Sequence, residues 1–199
     1  MRTQTIEIYQ FDELSENAQE KAMEWYRDGG FDYEWYDHVF EDAKTIGALM
    51  GIKIDNIYFT GGFSYQGDGA CFEGSYYYKK GSVKAVKDYA PVDKELHRIA
   101  LELSKLQRPN FYGLTAHIKH TGRYPHEYCT SIDVYNESEI GDYYVNDNTN
   151  DALSDLLRDF MRWIYKQLNA EYDYLNSDES VSETIRVNEY EFTTEGLRY

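Results

Sequence analysis

Three residues that could form a ligand-binding or reactive turn lie close together near the middle of the chain. Gln66, Asp68 and Cys71 belong to the run Gln-Gly-Asp-Gly-Ala-Cys. In an active site Asp68 would polarise a neighbouring group and Cys71 would attack, but a nucleophilic thiol needs a nearby base and a lowered pKa. No base stands close by in the sequence, and Asp-Gly is first a signal for a two-residue hairpin turn. We therefore predict a turn followed by a buried thiol, with a ligand-binding turn as the alternative.

Metal-binding residue types are present, but their spacing is wrong for a metal site. The residues considered for zinc are Cys71, His117, His120, His126 and Cys129. They match no standard zinc pattern, and His117 and His120 are three residues apart, so a regular strand points them to opposite faces. Residues 147–151 resemble the start of a calcium loop, but Ala152 and Arg158 replace the required Gly and Glu. The sequence predicts neither a metal nor a cofactor.

Aromatic and acidic side chains crowd a second segment. The candidates for contact with a protein partner are Asp28, Asp32, Glu34, Trp35 and Asp37. Aromatic anchors surrounded by carboxylates suit a basic protein partner. The competing interpretation is that the aromatic rings of this segment belong to the core.

The composition excludes several classes of protein. A hydrophobic content of 42% is too high for a disordered chain, and a net charge of −16 disfavours direct binding to nucleic acid or to an anionic membrane. Basic residues concentrate in 79–108, where eight bases accompany four acids. Two cysteines and the lack of an apolar leader predict a cytoplasmic protein with free thiols. The sequence contains no Gly-x-Ser-x-Gly, P-loop or His-Glu-x-x-His motif, which argues against an enzyme without deciding the question.

Helices and antiparallel hairpins must position these residues. Alternating patterns predict β-hairpins at about 52–78 and 111–135, with a bulge or a close backbone approach at Gly61-Gly62. The terminal segment 189–192 is a candidate to pair with an N-terminal strand at 5–11. Helical periodicity occurs at about 12–28, 33–50, 82–89, 92–107, 151–175 and 179–188. We predict one α+β domain over 1–199, an antiparallel sheet of two hairpins packed with about four to five helices, the longest at 151–175.

Several stretches together resemble a family of bacteriophage and prophage proteins. They include Phe11-Asp-Glu-Leu-Ser, Gly30-Phe-Asp-Tyr, Glu41-Asp-Ala, Ile57-Tyr-Phe, Gln66-Gly-Asp-Gly-Ala-Cys-Phe-Glu-Gly, Asp159-Phe-Met and Asn188-Glu-Tyr-Glu-Phe-Thr. Members of that family sometimes carry the label "antitoxin of toxin–antitoxin stability system". The resemblance covers nearly the whole chain and implies the cytoplasm of an infected or lysogenic bacterium. It assigns no residue a role.

Charge and setting together favour a non-enzymatic inhibitor. Such a protein would bind a basic host protein, either a toxin or a defence nuclease, by presenting negative charge in the manner of a nucleic acid. One alternative is an enzyme or small-ligand binder that uses the turn at Gly67–Cys71. Another is a structural or assembly protein that forms a homodimer through its tyrosine-rich strands, since the chain has 21 tyrosines.

Overall fold

The computed structural model of the chain describes residues 6–31, 33–61, 67–138, 141–142 and 145–199. The fold is α+β, as the sequence predicts. The helices are α1 (Glu16–Asp28), α2 (Asp37–Met50), α3 (Ser82–Tyr89), α4 (Lys94–Gln107), α5 (Asp147–Leu175) and α6 (Asp178–Val187). The strands are β1 (Ile8–Gln10), β2 (Ile52–Phe59), β3 (Ala70–Tyr77), β4 (Leu114–His120), β5 (Thr130–Ser138), β6 (Gly141–Asp142) and β7 (Glu191–Thr193).

The chain forms two compact units. We call them the terminal unit, Met1–Trp35 with Ala170–Tyr199, and the central unit, Tyr36–Asn169. The central unit contains the antiparallel sheet with the strand order β2-β3-β4-β5-β6. Both predicted hairpins are confirmed as the pairs β2–β3 and β4–β5.

The core of the central unit lies on one face of this sheet. Alternate residues of β4, namely Leu114, Ala116 and Ile118, are buried, and Ala116 and Ile118 are paired with Val134 and Ile132 of β5. Helix α5 packs on the same face through Phe160, whose ring centroid is 6.0 Å from that of Phe72 in β3. The apolar residues of α5 that are three and four apart are therefore buried against the sheet, as their helical periodicity predicts.

Two features of the first hairpin differ from the prediction. The two-residue turn at Asp68-Gly69 is wrong, because Gly69 is still paired with Thr60: the Thr60 N–H donates to the Gly69 carbonyl at 3.0 Å, and the Gly69 N–H donates to the Thr60 hydroxyl at 2.9 Å. A side chain at 69 would also lie 3.0 Å from the ring of His126, so this glycine permits a close approach. A bulge that the sequence did not predict lies between Ile54 and Asn56, whereas the bulge or close backbone approach predicted at Gly61-Gly62 extends beyond the described residues at Gly62.

The terminal unit has its own small core. Strands β1 and β7 pair in antiparallel fashion, which confirms the predicted pairing of the two chain ends. Helices α1 and α6 enclose buried side chains of Phe11, Leu14, Ala18, Ala22, Val181, Ile185 and Phe192. Helix α1 begins after Ser15, later than the predicted start at about residue 12, and the Ser15 side chain forms no capping hydrogen bond.

Among the described residues, no helix is long and apolar enough to cross a membrane.

Candidate functional site

The thiol of Cys71, near the start of β3, is not activated as a nucleophile. Cys71 is 1% exposed, and burial raises the pKa of its thiol to about 12. A thiol with that pKa stays protonated near pH 7, whereas a nucleophilic cysteine needs its thiolate. Asp68 is half-buried and, after burial itself, its carboxylate is the second cause that raises the pKa of Tyr165. Gln66 lies outside the described residues.

Near this segment, the carboxylate of Glu73 accepts three hydrogen bonds. The sequence analysis did not single out this residue. The Glu73 side chain in β3 accepts hydrogen bonds from the Tyr58 hydroxyl at 2.9 Å, from the Asn56 amide at 3.3 Å and from the His120 backbone N–H at 3.3 Å. The Tyr58 and Asn56 bonds lower the pKa of Glu73, and the bond to Glu73 raises the pKa of Tyr58. A carboxylate held by three donors is a poor base, so its place here is structural.

The histidines are held in separate contacts. His117 lies on the exposed face of the sheet, opposite Ser75 and Asp133. The His120 ring packs on Tyr58, with centroids 4.9 Å apart, and the His126 ring stacks on Tyr128 at 5.6 Å. Across the part of the chain that the structure describes, no three His, Cys, Asp or Glu side chains form a group that could hold a metal ion.

The acidic and aromatic segment from 28 to 37 divides between surface and packed positions. Asp28 ends α1 and is exposed, as are Glu34 and, at the start of α2, Asp37. Trp35 is half-buried in a cluster of rings, with its centroid 5.9 Å from Phe31 and 5.7 Å from Tyr172. Asp32 lies outside the described residues. The described carboxylates of the segment are therefore exposed, whereas Trp35 packs within the cluster of rings.

Helix α1 carries a regular row of carboxylates. Glu16, Glu20, Glu24 and Asp28 follow one another at intervals of four residues, and all four are exposed. None of them forms an ion pair or a hydrogen bond with any residue that the structure describes. Because residues four apart lie one above the other on a helix, with about 6 Å of rise between them, the four charges form a line. We call this line the α1 acidic row.

An exposed aromatic edge accompanies the acidic row. Trp25 lies three residues before Asp28 on α1, so the two side chains are neighbours on the helix surface. Trp25 packs edge-on against Tyr190 and Phe192, at centroid distances of 5.6 and 5.7 Å, yet 37% of it remains exposed. Part of its ring is therefore available to a partner.

The negative charge of the protein is concentrated in the terminal unit. By residue count that unit has 17 acidic and 5 basic residues, a net charge of −12, whereas the central unit has 19 and 15, a net charge of −4. The α1 acidic row therefore lies in the more acidic of the two units. The sequence analysis identified the net charge of −16 and the basic segment 79–108 but not this row. The four-residue spacing of its carboxylates is nevertheless present in the sequence.

Comparison with known proteins gives a family but no activity. No curated protein and no solved structure matches the chain. A protein-family model does match, and its range, residues 35–178, contains the whole central unit. Because this match spans well over half of the sequence, the chain belongs to the family described as Domain of unknown function (DUF8835).

Proposed function

We propose that the protein is a non-enzymatic inhibitor that binds a basic protein of a bacterial host through the α1 acidic row. The partner would be a toxin or a defence nuclease with a groove for nucleic-acid phosphates. The observation that carries the proposal is the row itself: four exposed carboxylates at regular spacing, none of which forms an ion pair with a described residue.

The geometry of the row suits a groove built for a phosphate backbone. From the first to the fourth carboxylate, α1 rises about 18 Å, or about 6 Å for each charge. One strand of duplex DNA carries a phosphate for each 3.4 Å of axis, so the row has about half the charge density of a strand. Lysine and arginine side chains bind carboxylates as they bind phosphates, through charge-assisted hydrogen bonds. A groove that contacts only the phosphate backbone, and not the bases, could therefore bind the row.

The row also has a cost for the stability of α1. Like charges at positions i and i+4 destabilise a helix by about 0.2–0.5 kcal/mol for each pair. The row has three such pairs, and Asp28 lies near the negative end of the helix dipole, where a carboxylate is unfavourable. Local rules that are broken without a structural gain are typical of functional surfaces.

The resemblance to bacteriophage and prophage proteins supports the bacterial setting. Three of its stretches, Phe11-Asp-Glu-Leu-Ser, Gly30-Phe-Asp-Tyr and Asn188-Glu-Tyr-Glu-Phe-Thr, lie in the terminal unit and outside residues 35–178. The antitoxin label carried by some of those proteins agrees with an inhibitor of a basic toxin. On this proposal the protein acts in the cytoplasm of the infected or lysogenic cell.

A homodimer through tyrosine-rich strands is a second candidate, and one observation favours it. Tyr77 and Tyr135 are exposed on the face of the sheet away from the core, 52% and 47% respectively. Both pair with Thr115 of β4, the strand between β3 and β5, so they lie in one row across the sheet. Light scattering over a range of protein concentrations tests this candidate, and a constant monomer mass rejects it.

The inhibitor proposal is tested by comparing three immobilised proteins in bacterial lysate. They are the wild type, a row variant and a control variant, and bound proteins are measured by quantitative mass spectrometry at low and high salt. The row variant carries Glu16→Gln, Glu20→Gln, Glu24→Gln and Asp28→Asn. The control carries Glu179→Gln, Glu183→Gln, Glu189→Gln and Glu195→Gln, all exposed positions of the same unit. Both variants lose four negative charges.

We expect the wild type and the control to retain the same basic protein at low salt, and the row variant to lose it. High salt should release that protein, because screening weakens exposed ion pairs. An equal loss of that protein in the row variant and the control would mean that net charge alone drives binding, and full retention by the row variant would mean that the row is not the contact surface. Capture of no basic protein by the wild type would end the proposal.

A further inference from the structure

A second line of side chains runs along α1 beside the acidic row. Lys21 and Trp25 are four residues apart, so they are neighbours on the helix surface, and both are exposed. Asp28, the last member of the α1 acidic row, follows Trp25 by three residues and lies next to it. Arg198 completes the line, since its guanidinium carbon is 5.7 Å from the centroid of the Trp25 ring. We call Lys21, Trp25 and Arg198 the Trp25 edge.

Contacts with the strand β7 region hold Trp25 in place. Its ring packs edge-on against Tyr190 and Phe192, and the Arg198 guanidinium lies over both Trp25 and Tyr190, 4.9 Å from the centroid of the tyrosine ring. Arg198 is itself fixed, because it forms a β-bridge with Phe192 and its Nη1 donates to the Glu191 carbonyl at 2.8 Å. A side chain that is already ordered loses little freedom when a partner binds, so Trp25 is suited to be an anchor.

Both cations of the Trp25 edge lack an acidic partner. Neither Lys21 nor Arg198 forms an ion pair with any residue that the structure describes, although the terminal unit has 17 acidic residues. The surface around the α1 acidic row therefore carries both signs of charge, with the positive groups along one side. Such a pattern fixes the orientation of a partner whose own charges are complementary.

The residue types of the Trp25 edge are those on which binding energy concentrates. Tryptophan and arginine are enriched at the hot spots of protein interfaces. Four carboxylates alone would attract any polycation, and salt would screen that attraction. The exposed part of the Trp25 ring adds apolar contact, which depends on shape and not on charge.

From these observations we infer that the Trp25 edge selects the partner of the α1 acidic row. That partner is a protein with an apolar side chain and a carboxylate at the border of its basic groove. The apolar side chain packs on the exposed part of the Trp25 ring, and the carboxylate pairs with Lys21 and Arg198. The inference rests on the proposed function, because it takes the row as the contact surface.

The test uses two fluorophore-labelled synthetic peptides, whose binding to the full-length chain at low salt is measured by fluorescence anisotropy. One peptide is hexalysine, and the other is hexalysine extended by Leu-Glu-Leu. The extended peptide has one positive charge fewer, so attraction to net negative charge alone would bind it less tightly. We expect the wild type to bind it about threefold more tightly, through an exposed ion pair and apolar contact with Trp25.

Three single substitutions locate this preference. Lys21→Gln and Arg198→Gln should each reduce or abolish the preference for the extended peptide, whereas affinity for hexalysine should stay the same or rise, because a positive charge is lost from the protein. Lys80→Gln is the matched control. Lys80 is exposed, forms no ion pair with a described residue and belongs to the central unit, so its replacement should leave the preference unchanged.

The row variant distinguishes failure of this inference from failure of the proposed function. If the row variant loses hexalysine but the wild type does not prefer the extended peptide, the inference is wrong and the row remains the contact surface. A preference that persists in full in both Lys21→Gln and Arg198→Gln would also overturn the inference. If the row variant binds hexalysine as tightly as the wild type does, the row is not the contact surface, and the proposed function and the inference fail together.

Discussion

The indole Nε1 of Trp163 donates a hydrogen bond of 2.8 Å to Oδ2 of Asp93, a residue 70 positions earlier in the chain. The other oxygen of the same carboxylate accepts the Leu96 backbone N–H at 2.9 Å and so caps the start of α4. One side chain therefore fixes the start of α4 and joins it to α5. The Trp163 side chain is buried, with 5% exposed, so its N–H depends on this acceptor.

Replacement of Asp93 should separate its two contributions. Asp93→Ala loses a helix cap, which contributes about 1 kcal/mol, and leaves a buried indole N–H unbonded, which costs about 1–3 kcal/mol. We expect a loss of about 2–4 kcal/mol in the free energy of unfolding, measured by urea denaturation. Asp93→Ser keeps a capping oxygen but is too short for Trp163, so it should lose less. If the two variants are equally unstable, the cap contributes nothing.

Glu73 should make stability depend on pH in the acid range. The pKa of Glu73 is lowered, chiefly by the hydrogen bond from Tyr58, so its contribution is complete above the ordinary glutamate pKa of about 4.3. The contribution is lost as the pH falls through the lowered value, because the unfolded chain binds the proton first. Between pH 5 and pH 3 the urea midpoint of the wild type should therefore fall more steeply than that of Glu73→Gln. Parallel curves would show that the carboxylate is not preferentially stabilised in the folded protein.

The two cysteines should differ sharply in reactivity. Cys71 is buried, and burial raises its pKa to about 12, whereas Cys129 is partly exposed. Thiolate concentration and access both control alkylation. Intact-mass measurements after treatment with N-ethylmaleimide at pH 7.5 should show one rapid adduct in the folded protein and two in urea. Cys129→Ser should abolish the rapid adduct. Rapid modification of Cys71 in the folded Cys129→Ser protein would return the thiol to consideration as a nucleophile.

Local patterns were sufficient for most of the secondary structure. Helix α3 has the bounds that its periodicity and its flanking Gly81 predict, and Gly51 ends α2 in the left-handed region, at φ 87°. There a side chain would lie 2.1 Å from the Tyr77 carbonyl oxygen, which is why glycine is needed. Capping and apolar spacing act over a few residues, so a single sequence reveals them.

Contacts between distant segments explain what the sequence did not predict. The bulge in β2 lies opposite Gly74 in β3, where a Cβ would lie 1.8 Å from the Lys53 carbonyl oxygen. The sequence of β2 itself contains no signal that predicts this bulge. The donors to Glu73 come from two strands that are far apart in the sequence, Asn56 and Tyr58 from β2 and His120 from β4. That the four carboxylates of the α1 acidic row form no ion pair with a described residue also had to come from the three-dimensional structure.

The α1 acidic row should carry a measurable conflict between stability and binding. The row variant removes three like-charge pairs, each destabilising by about 0.2–0.5 kcal/mol, and it removes Asp28 from the negative end of the helix dipole. It also loses the favourable charge of Glu16 at the N-terminus, so we expect a net gain of about 0.5–1.5 kcal/mol in the free energy of unfolding at low salt, measured by urea denaturation.

Salt provides the control for this prediction. The gain should shrink towards zero in 1 M NaCl, where the Debye length falls to about 3 Å and the repulsion between the carboxylates is screened. A gain that persists at high salt would come from helix propensity and not from the charges. If the row served only solubility, its neutralisation would abolish no binding. If the row is a binding surface, the same variant should be more stable than the wild type and should no longer bind the partner. A variant that is less stable than the wild type at low salt would mean that the row contributes to the fold, and the structural argument for a binding surface would fail.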